Sequence, residues 1–270
     1  MDYKMIVLDL DGTLTNSQKR ISPPTKEALF EIQEQGIIVV LASGRPINGV
    51  LPLAKELRLD HYDSYILSFN GARITRCRNW ETIYNKCIPT SVIQPILDIT
   101  KQYPGVDLFA YDTEAILSAI EPNEYTEMES FICKMPIHPI DHFVDHVTFP
   151  VNKLLIAGEP DVIEALMKVL QAKFNGLLNI YRSEPYYLEI MPQNIDKAHS
   201  LQKLISSIGI SPEEMICCGD GYNDITMIEY AGLGVAMGNA QSIVKETADF
   251  ITLSNDEDGV LHVIKNFLVK

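Results

Sequence analysis

The stretch "MIVLDLDGTLT" (Met5–Thr15) joins an apolar run to two acidic residues, Asp9 and Asp11, that are separated by a single residue. On a β-strand, residues i and i+2 point to the same face, so this pattern predicts that the two carboxylates lie side by side. Two like charges about 4 Å apart repel each other by roughly 4 kcal/mol at an effective dielectric constant of about 20. The stretch therefore requires a positive partner for one acid or a proton on the other.

The whole chain has the composition of a soluble globular protein, with 270 residues, 46% of them hydrophobic and 21% charged. This length allows a large core and favours two domains. A net charge of −14 disfavours binding to nucleic acid, because that requires clustered Lys and Arg. No apolar run is long enough to cross a membrane, and the N-terminus does not resemble a secretory signal. Five cysteines without a CxxC pair favour reduced thiols, so we expect a cytoplasmic protein.

The first part of the chain alternates strands and helices. Ser22 is a suitable N-cap for a helix that ends near Gly36, and "IIVVLAS" (Ile37–Ser43) has the apolar, β-branched pattern of a strand buried on both faces. A helix over about 47–57 and a strand over Tyr65–Asn70 follow. Strand, helix and strand at this spacing predict right-handed crossovers and a parallel sheet.

The last part resumes this rhythm, whereas the middle does not. A helix ending at Gly209, a strand over Met215–Asp220 and a further helix, strand and helix follow one another near the C-terminus. The middle has hairpin-like strand pairs and two predicted helices, over about 90–103 and 160–173. We therefore predict an α/β protein with a Rossmann-like, parallel-sheet core formed by residues 1–82 and 192–270, and an inserted α+β domain over 83–191.

Polar residues end several of the predicted core strands, where open α/β sheets bind their ligands. Asp9 and Asp11 follow the first strand, Ser43 the second and Asp220 a later one. An EF-hand loop also begins with two acids in this spacing, but here Gly12 comes at the fourth position instead of the sixth. A receiver-type signalling domain remains an alternative. The pattern favours a Mg²⁺ site with a nucleophilic carboxylate, since Mg²⁺ prefers carboxylates, phosphate oxygens and water.

Three further segments supply groups that such a site needs. "GDGYND" (Gly219–Asp224) brings a second pair of acids, Asp220 and Asp224, although Asp224 is also placed to cap the next helix. The Ser43–Gly44 turn offers a hydroxyl and an amide to a phosphate oxygen. Lys197 lies at the predicted start of a helix, as a cation in an acidic protein.

"DLDGT", "SGR", a lysine and "GDGYND", in this order, resemble the motifs of the haloacid dehalogenase-like phosphohydrolases. The match is closest to the Cof-type sugar-phosphatase branch, which inserts an α/β cap between the second and third motifs, here between Arg45 and Lys197. "NGA" (Asn70–Ala72), "GVAMGNA" and "SNDEDGV" support the resemblance. The family usually has glycine where this chain has Asn194 and Ala198.

The resemblance implies a Mg²⁺-dependent phosphatase that acts on small phosphorylated metabolites. Asp9 would attack phosphorus and form an aspartyl-phosphate, and Asp11 would protonate the leaving alcohol and then activate water. Phosphoryl oxygens would be held by Leu10, Ser43, Gly44, Lys197 and Asn223. Mg²⁺ would be held by Asp9, the Asp11 carbonyl and Asp220, with Asp224 either as a direct ligand or as a group that orients the direct ligands. Because Asp11 ligates through its backbone, its carboxyl group is expected to be free to carry a proton.

Two other functions remain open at this point. A phosphotransferase or mutase would use the same aspartyl-phosphate, and a non-catalytic module would keep the site only to sense phosphate. "HPIDHFVDH" also places His138, His142 and His146 at a spacing of four, as a metal-binding helix would. Pro139 disrupts the first turn, so we favour a solvated helix or loop there.

Overall fold

A computed structural model describes residues 3–269 of the chain, and the contacts among these residues separate into two compact units. The first unit takes in the described residues up to Tyr84 and from Asp196 onward, and the second is Asn85–Ile195. The predicted boundaries after residues 82 and 191 fall inside two strands, one over Glu81–Asn85 and one over Tyr187–Pro192, so the units divide a few residues later than predicted.

The N-terminal part of the first unit contributes five strands and two helices to the described fold. In chain order these are β1 (Met5–Leu8), α1 (Pro23–Glu34), β2 (Ile38–Ala42), α2 (Ile47–Glu56), β3 (Tyr65–Ser68), β4 (Arg73–Arg76) and β5 (Glu81–Asn85). Ser22 is the N-cap of α1, as predicted, and its hydroxyl accepts a hydrogen bond from the Thr25 amide. The third strand ends two residues before the predicted position, because a 3₁₀ turn over Phe69–Gly71 follows it.

The second unit has a sheet with helices that pack on it. Its elements are α3 (Ile93–Thr100), β6 (Asp107–Tyr111), β7 (Ile116–Ser118), α4 (Glu124–Cys133), β8 (Ile137–Pro139), α5 (Phe143–His146), β9 (Leu154–Ala157), α6 (Pro160–Lys173), β10 (Leu178–Glu184) and β11 (Tyr187–Pro192). Within this unit the strand order is β10-β11-β9-β6-β7-β8. Both predicted hairpins are present, as β6–β7 and β10–β11. The helix α4, whose exposed face includes Phe131, was not predicted from the sequence.

The C-terminal part returns to the first unit. It consists of α7 (Lys197–Ile208), β12 (Met215–Gly219), α8 (Ile225–Tyr230), β13 (Leu233–Ala236), α9 (Ser242–Thr247), β14 (Phe250–Ile251) and α10 (Gly259–Phe267). Among residues 3–269, the sheet of this unit has the order β14-β13-β12-β1-β2-β3-β4-β5. Neighbouring strands from β14 to β3 are parallel, and β4 is antiparallel to β3. The predicted α/β fold with a parallel-sheet core is therefore confirmed.

Both faces of the core sheet are covered, as the continuous apolar strands predict. Ile6 and Leu8 of β1 belong to one hydrophobic cluster, whereas Met5 and Val7 belong to another. None of the five cysteines, all of which lie within the described residues, forms a disulfide bond. No helix over residues 3–269 is long and apolar enough to cross a membrane.

Candidate active site

The parallel pairing of β1 with β12 brings two acidic strand ends together. Leu8 lies opposite Cys218, and the Asp9 amide donates to the Cys218 carbonyl at 3.1 Å, so Asp9 and Asp220 follow neighbouring strands. The strand β1 ends at Leu8, which means that Asp9 and Asp11 lie beyond it. The prediction that these two carboxylates share a strand face is therefore wrong, because the chain turns before Asp11.

Three other carboxylates form a compact cluster. One oxygen from each of Asp9, Asp220 and Asp224 lies within 4.8 Å of the other two. Asp9 is 6% exposed and Asp224 is fully buried. Gly12, with a φ of +79°, passes so close to the Asp220 carboxylate that a side chain at this position would overlap with it. The glycine of "DLDGT" thus allows the turn after β1 to approach the acid that follows β12.

Lys197 is the positive partner of this cluster. It is the first residue of α7 and is fully buried, and its Nζ donates to Asp9 Oδ1 and Asp224 Oδ1, at 2.6 Å each. Burial opposes the charge of Lys197, but the carboxylates of Asp224 and Asp9 outweigh it and raise the pKa of the ammonium group. Lys197 therefore stays charged, and it is not a surface lysine.

The cluster still carries more negative than positive charge. Burial, followed by the charge of Asp224, raises the pKa of Asp9 well above its usual value. Burial and Asp224 likewise raise the pKa of Asp220 to about 6. One lysine among three carboxylates leaves a formal surplus of two negative charges. Hard carboxylate oxygens with this surplus fit a divalent cation such as Mg²⁺.

Asp224 also shapes the turn that follows β12. Its Oδ2 accepts hydrogen bonds from the amides of Asp220 and Gly221, at 2.9 and 3.0 Å. Although Asp224 precedes α8, its side chain makes no capping bond to that helix. The carboxylate therefore points back toward the end of the strand.

Asp11 has surroundings of its own. Arg45 binds this carboxylate in a bidentate manner, with its Nε and Nη2 each donating at 2.7 Å. Lys19 Nζ donates to the same carboxylate at 2.6 Å. Burial alone would raise the pKa of Asp11, but Arg45 and then Lys19 outweigh it and lower the pKa. The carboxyl group is therefore held ionised, which differs from the expectation that it is free to carry a proton.

The predicted phosphate-binding residues lie near the same strand ends. Ser43 directly follows β2, is 2% exposed and accepts a hydrogen bond from the Arg45 amide. Asn223 lies in the turn before α8 and donates to Asn70 Oδ1 at 3.1 Å. Leu10 has a buried side chain, and its carbonyl accepts from Thr15. Contact of Ser43, Gly44, Asn223 or the Leu10 amide with phosphate stays a prediction.

A set of residues missed by the sequence analysis holds the loop after Asp11. Thr13 Oγ1 donates to Asp220 Oδ1 at 3.1 Å, and Asn239 Nδ2 donates to the Gly12 carbonyl at 2.8 Å. Asn255 Nδ2 donates to the Thr15 carbonyl at 3.0 Å. Asn239 belongs to "GVAMGNA" and Asn255 to "SNDEDGV", two segments that support the family resemblance. The sequence did not indicate their contacts with the loop, because these contacts join residues more than 200 positions apart.

The three histidines of "HPIDHFVDH" lie in different local structures. His138 lies in β8, His142 precedes α5 with a φ of +57°, and His146 is the last residue of α5. Within residues 3–269, the set of acidic, histidine and cysteine side chains close enough to share one ion is the aspartate cluster, without these histidines.

Comparison with known proteins places the chain in a family. The profile of the haloacid dehalogenase-like hydrolases matches residues 6–264. A crystal structure of a haloacid dehalogenase-like hydrolase from Bacteroides thetaiotaomicron has a TM-score of 0.94 and 46% identity, and the match covers 98% of this chain and 99% of that protein. The sugar phosphatase BT4131, of subclass IIB, has a TM-score of 0.81 and 26% identity over 98% of both chains.

A relative from Bacillus subtilis (strain 168), the 5-amino-6-(5-phospho-D-ribitylamino)uracil phosphatase YcsE, is 34% identical over 269 residues, which are 100% of this chain and 97% of the relative. Profile, relative and solved structures agree over nearly the whole length. The chain therefore belongs to the haloacid dehalogenase-like hydrolases, as an enzyme of the phosphatase type.

Proposed function

We propose that this protein is a Mg²⁺-dependent phosphatase that hydrolyses small phosphomonoesters through an aspartyl-phosphate on Asp9. The observation that carries the proposal is the cluster of three carboxylates within 4.8 Å of one another, two of them bound by the buried Lys197. A solely structural cluster gains nothing from a surplus of buried negative charge, whereas a divalent cation would offset this charge and allow an anionic phosphoryl group to bind.

Asp9, Asp220 and Asp224 would hold the Mg²⁺ ion, with the Asp11 carbonyl as the further ligand that the family resemblance implies. When bound, the ion would neutralise charge on the phosphoryl group and on the aspartates. Lys197 would add a second positive charge on the side of Asp9 and Asp224. Phosphoryl transfer depends chiefly on positioning and on such charge neutralisation.

In the first step, a carboxylate oxygen of Asp9 attacks phosphorus, and the bond from phosphorus to the alcohol oxygen breaks. The leaving oxygen would take the proton of a protonated Asp11, and the phosphoryl group stays on Asp9 as an acyl phosphate. Ser43, Gly44 and Asn223 would hold the phosphoryl oxygens. Lys197 would keep Asp9 oriented, because its Nζ lies 2.6 Å from Asp9 Oδ1.

In the second step, water attacks phosphorus, and the bond between phosphorus and Asp9 breaks. Asp11 would accept the proton of this water, for which an ionised carboxylate is required. The contacts from Arg45 and Lys19 hold Asp11 in that ionised form. The same contacts oppose proton donation to the alcohol in the first step, so Asp11 must gain a proton against them before it can serve there.

The substrate that we propose is a phosphate ester of a short polyhydroxylated carbon chain. One relative is named for a phosphorylated ribitylamino compound and one similar structure for sugar phosphates. Both descriptions share a phosphomonoester on a chain of hydroxyl-bearing carbons. This chemistry agrees with the small-metabolite substrate that the sequence predicts.

A panel of phosphomonoesters tests the proposal. Sugar phosphates, polyol phosphates, nucleotides and p-nitrophenyl phosphate are assayed for phosphate release with Mg²⁺, with EDTA, and with Mg²⁺ restored after EDTA. We expect release with Mg²⁺, loss with EDTA, recovery on restoration and a preference for sugar and polyol phosphates. Hydrolysis that is indifferent to EDTA contradicts the metal site, and phosphate appearing only on an added alcohol indicates a phosphotransferase.

A further inference from the structure

The turn Phe69–Gly71, which follows β3, has an unusual backbone. Phe69 and Asn70 have φ values of +51° each, and Gly71 has a φ of +92°. A positive φ is costly for a residue with a side chain, above all for a bulky one such as phenylalanine. Such conformations persist where the surroundings determine them, and they concentrate at functional sites. The segment, which we call the 69–71 turn, is nevertheless almost entirely buried.

The 69–71 turn is bound to the segment that follows β2. The Asn70 amide donates to the Ser43 carbonyl at 2.9 Å, and the Phe69 amide donates to the Arg45 carbonyl at 3.0 Å. These two bonds fix the backbone on either side of Gly44. The turn thus holds the Ser43–Gly44 amides and hydroxyl in one orientation.

The side chain of Asn70 lies between two elements that the proposed function assigns to phosphate. Its Oδ1 accepts from Asn223 Nδ2 at 3.1 Å, so it orients the carboxamide of Asn223. A Cβ atom on Gly44 would lie 3.2 Å from Asn70 Oδ1 and 3.5 Å from Nδ2, which places the Asn70 carboxamide directly over Gly44. Asn70 itself is only 5% exposed.

The third residue of the turn packs against the helix that begins with Lys197. Ser200 Oγ donates to the Gly71 carbonyl at 2.7 Å. A side chain on Gly71 would overlap with Ser200 and would come within 3.1 Å of the Asp196 carbonyl. This close approach requires glycine at position 71, and the hydrogen bond from Ser200 connects the 69–71 turn to the first turn of α7.

We propose that the 69–71 turn organises the phosphate-binding groups, and that Asn70 is a positioning residue which acts through Asn223. The proposal rests on the proposed function, since Ser43, Gly44, Asn223 and Lys197 are its phosphate-binding set. Three separate elements supply these residues, and the 69–71 turn contacts all three. A turn with only a structural role would need the backbone bonds but not the carboxamide between Asn223 and Gly44.

Two substitutions separate the side chain from the backbone. Asn70→Gly removes the carboxamide and keeps a residue that adopts positive φ without strain, whereas Asn70→Ala removes the same group without adding backbone freedom. An effect shared by both variants belongs to the carboxamide. Arg58→Gly is the matched control, because Arg58 also has a positive φ, of +53°, is exposed and lies in the same unit.

The readouts are kcat and KM for p-nitrophenyl phosphate with Mg²⁺, and the inhibition constant of inorganic phosphate. Loss of one neutral hydrogen bond corresponds to a change of about fivefold, so we expect KM and the inhibition constant to rise by about that factor in both Asn70 variants. We expect kcat to change by less than about twofold and Arg58→Gly to match the wild type. In an Asn223→Ala background, Asn70→Gly is expected to add nothing, because the group through which it acts is already absent.

Two results overturn the inference while leaving the proposed function intact. One is an unchanged inhibition constant in both Asn70 variants, with at most a lower melting temperature, which is the signature of a merely structural residue. The other is a full additional loss in the Asn223→Ala background, because independent effects add. A wild type that hydrolyses no phosphomonoester with Mg²⁺ overturns the proposed function, and the positioning role falls with it.

Discussion

Lys197 in the first unit and Lys153 in the second are both buried lysines, and their surroundings differ. Lys197 is fully buried and contacts two carboxylates at 2.6 Å, those of Asp9 and Asp224. Lys153 is 3% exposed, and its Nζ lies 3.2 Å from Glu189 Oε1. Each lysine is thus a buried charge with an acidic partner, a combination that contributes to stability only when its hydrogen bonds are complete.

The two networks are completed by different kinds of groups. Around Lys153, hydroxyl groups complete the carboxylates: Tyr181 donates to Glu189 at 2.9 Å, and Tyr111 donates to Glu129 at 2.6 Å. Around Lys197, neutral donors are present as well, but both of its carboxylate partners share a cluster with a third carboxylate, that of Asp220. Closure by neutral donors is what a structural network needs, whereas an additional acid marks a place for a cation. We therefore expect Lys153 to contribute to stability and Lys197 to contribute to the proposed reaction.

The largest effect is expected from Asp9→Asn. An amide is a poor nucleophile, so kcat is expected to fall by at least about 10³-fold while the fold is retained. Glu129→Gln is the counterpart in the second unit, and its kcat is expected to stay within about twofold of the wild type. Steady-state rates on p-nitrophenyl phosphate check both. Substantial turnover by the Asp9 variant removes the nucleophile from the account.

Exchanging each lysine for methionine tests the comparison itself. Lys197→Met is expected to lower kcat/KM by about 10²–10³-fold, similar to the loss of one donor that stabilises charge in a transition state. Lys153→Met leaves Glu189 buried without its cation, so we expect the free energy of unfolding of the second unit to fall by about 3–5 kcal/mol. Denaturant unfolding and kinetics are measured on both variants.

The two lysines are distinguished only if Lys153→Met loses stability without a large loss of activity. We expect the folded Lys153→Met enzyme to keep kcat within about threefold of the wild type on the same substrate. Equal catalytic loss in both variants would mean that burial alone, and not the surplus of acids, identifies a functional lysine.

A smaller effect is expected for Asp107, a buried acid of the second unit whose hydrogen bonds come from hydroxyl groups and backbone amides. Burial raises the pKa of Asp107 to about 6, although the hydroxyls of Ser118 and Thr126 donate to it and lower it. The folded state therefore prefers the protonated acid, and its stabilising contribution is complete below pH 4 and is lost as the pH rises to about 6.

Asp107→Asn removes this pH dependence. Between pH 4 and pH 7, the free energy of unfolding is therefore expected to fall by on the order of 2 kcal/mol less in the variant than in the wild type. Asp145→Asn, at an exposed position of the same unit, is the control and is expected to leave the pH profile unchanged. Chemical denaturation at several pH values measures both. Identical profiles for wild type and Asp107→Asn contradict the raised pKa.

The smallest effect is expected at the loop after Asp11. Asn255→Ala removes the bond to the Thr15 carbonyl, and we expect kcat to fall by about fivefold because the loop that carries Asp11 and Thr13 loses one neutral hydrogen bond. Asn266→Ala, which removes a similar bond on the exposed face of α10, is the control and is expected to keep full activity. Equal activity of the two variants would show that the Asn255 bond does not position the loop.

The local features of the fold could be predicted from the sequence, because local chemistry determines them. Ser22 and Pro23 predict the start of α1, and the apolar run before Asp9 predicts a buried parallel strand. The helix α4 escaped prediction because its apolar positions are sparse, and β4 and β5 because short strands carry weak periodicity.

Some features of the candidate site could likewise be predicted from the sequence, and others could not. Asp9, Asp220, Asp224 and Lys197 could be predicted as one group, since parallel strands bring their carboxyl ends to one edge. The ionisation state of Asp11 could not, because it depends on contacts with Arg45 and Lys19, which lie 34 and 8 residues away in the sequence. The contact between Asn70 and Asn223 joins residues 153 positions apart, and no local pattern indicates it.

Trapping the phosphorylated enzyme tests the central claim most directly. Wild-type protein is mixed with a rapidly hydrolysed phosphomonoester and Mg²⁺, quenched with acid within one turnover and treated with borohydride, which reduces an acyl phosphate on aspartate to homoserine. Peptide mass spectrometry is expected to find the modification at Asp9, and to find none with EDTA or in Asp9→Asn. Modification at another residue, or its absence from a protein that is turning over, would contradict the assignment of Asp9 as the nucleophile.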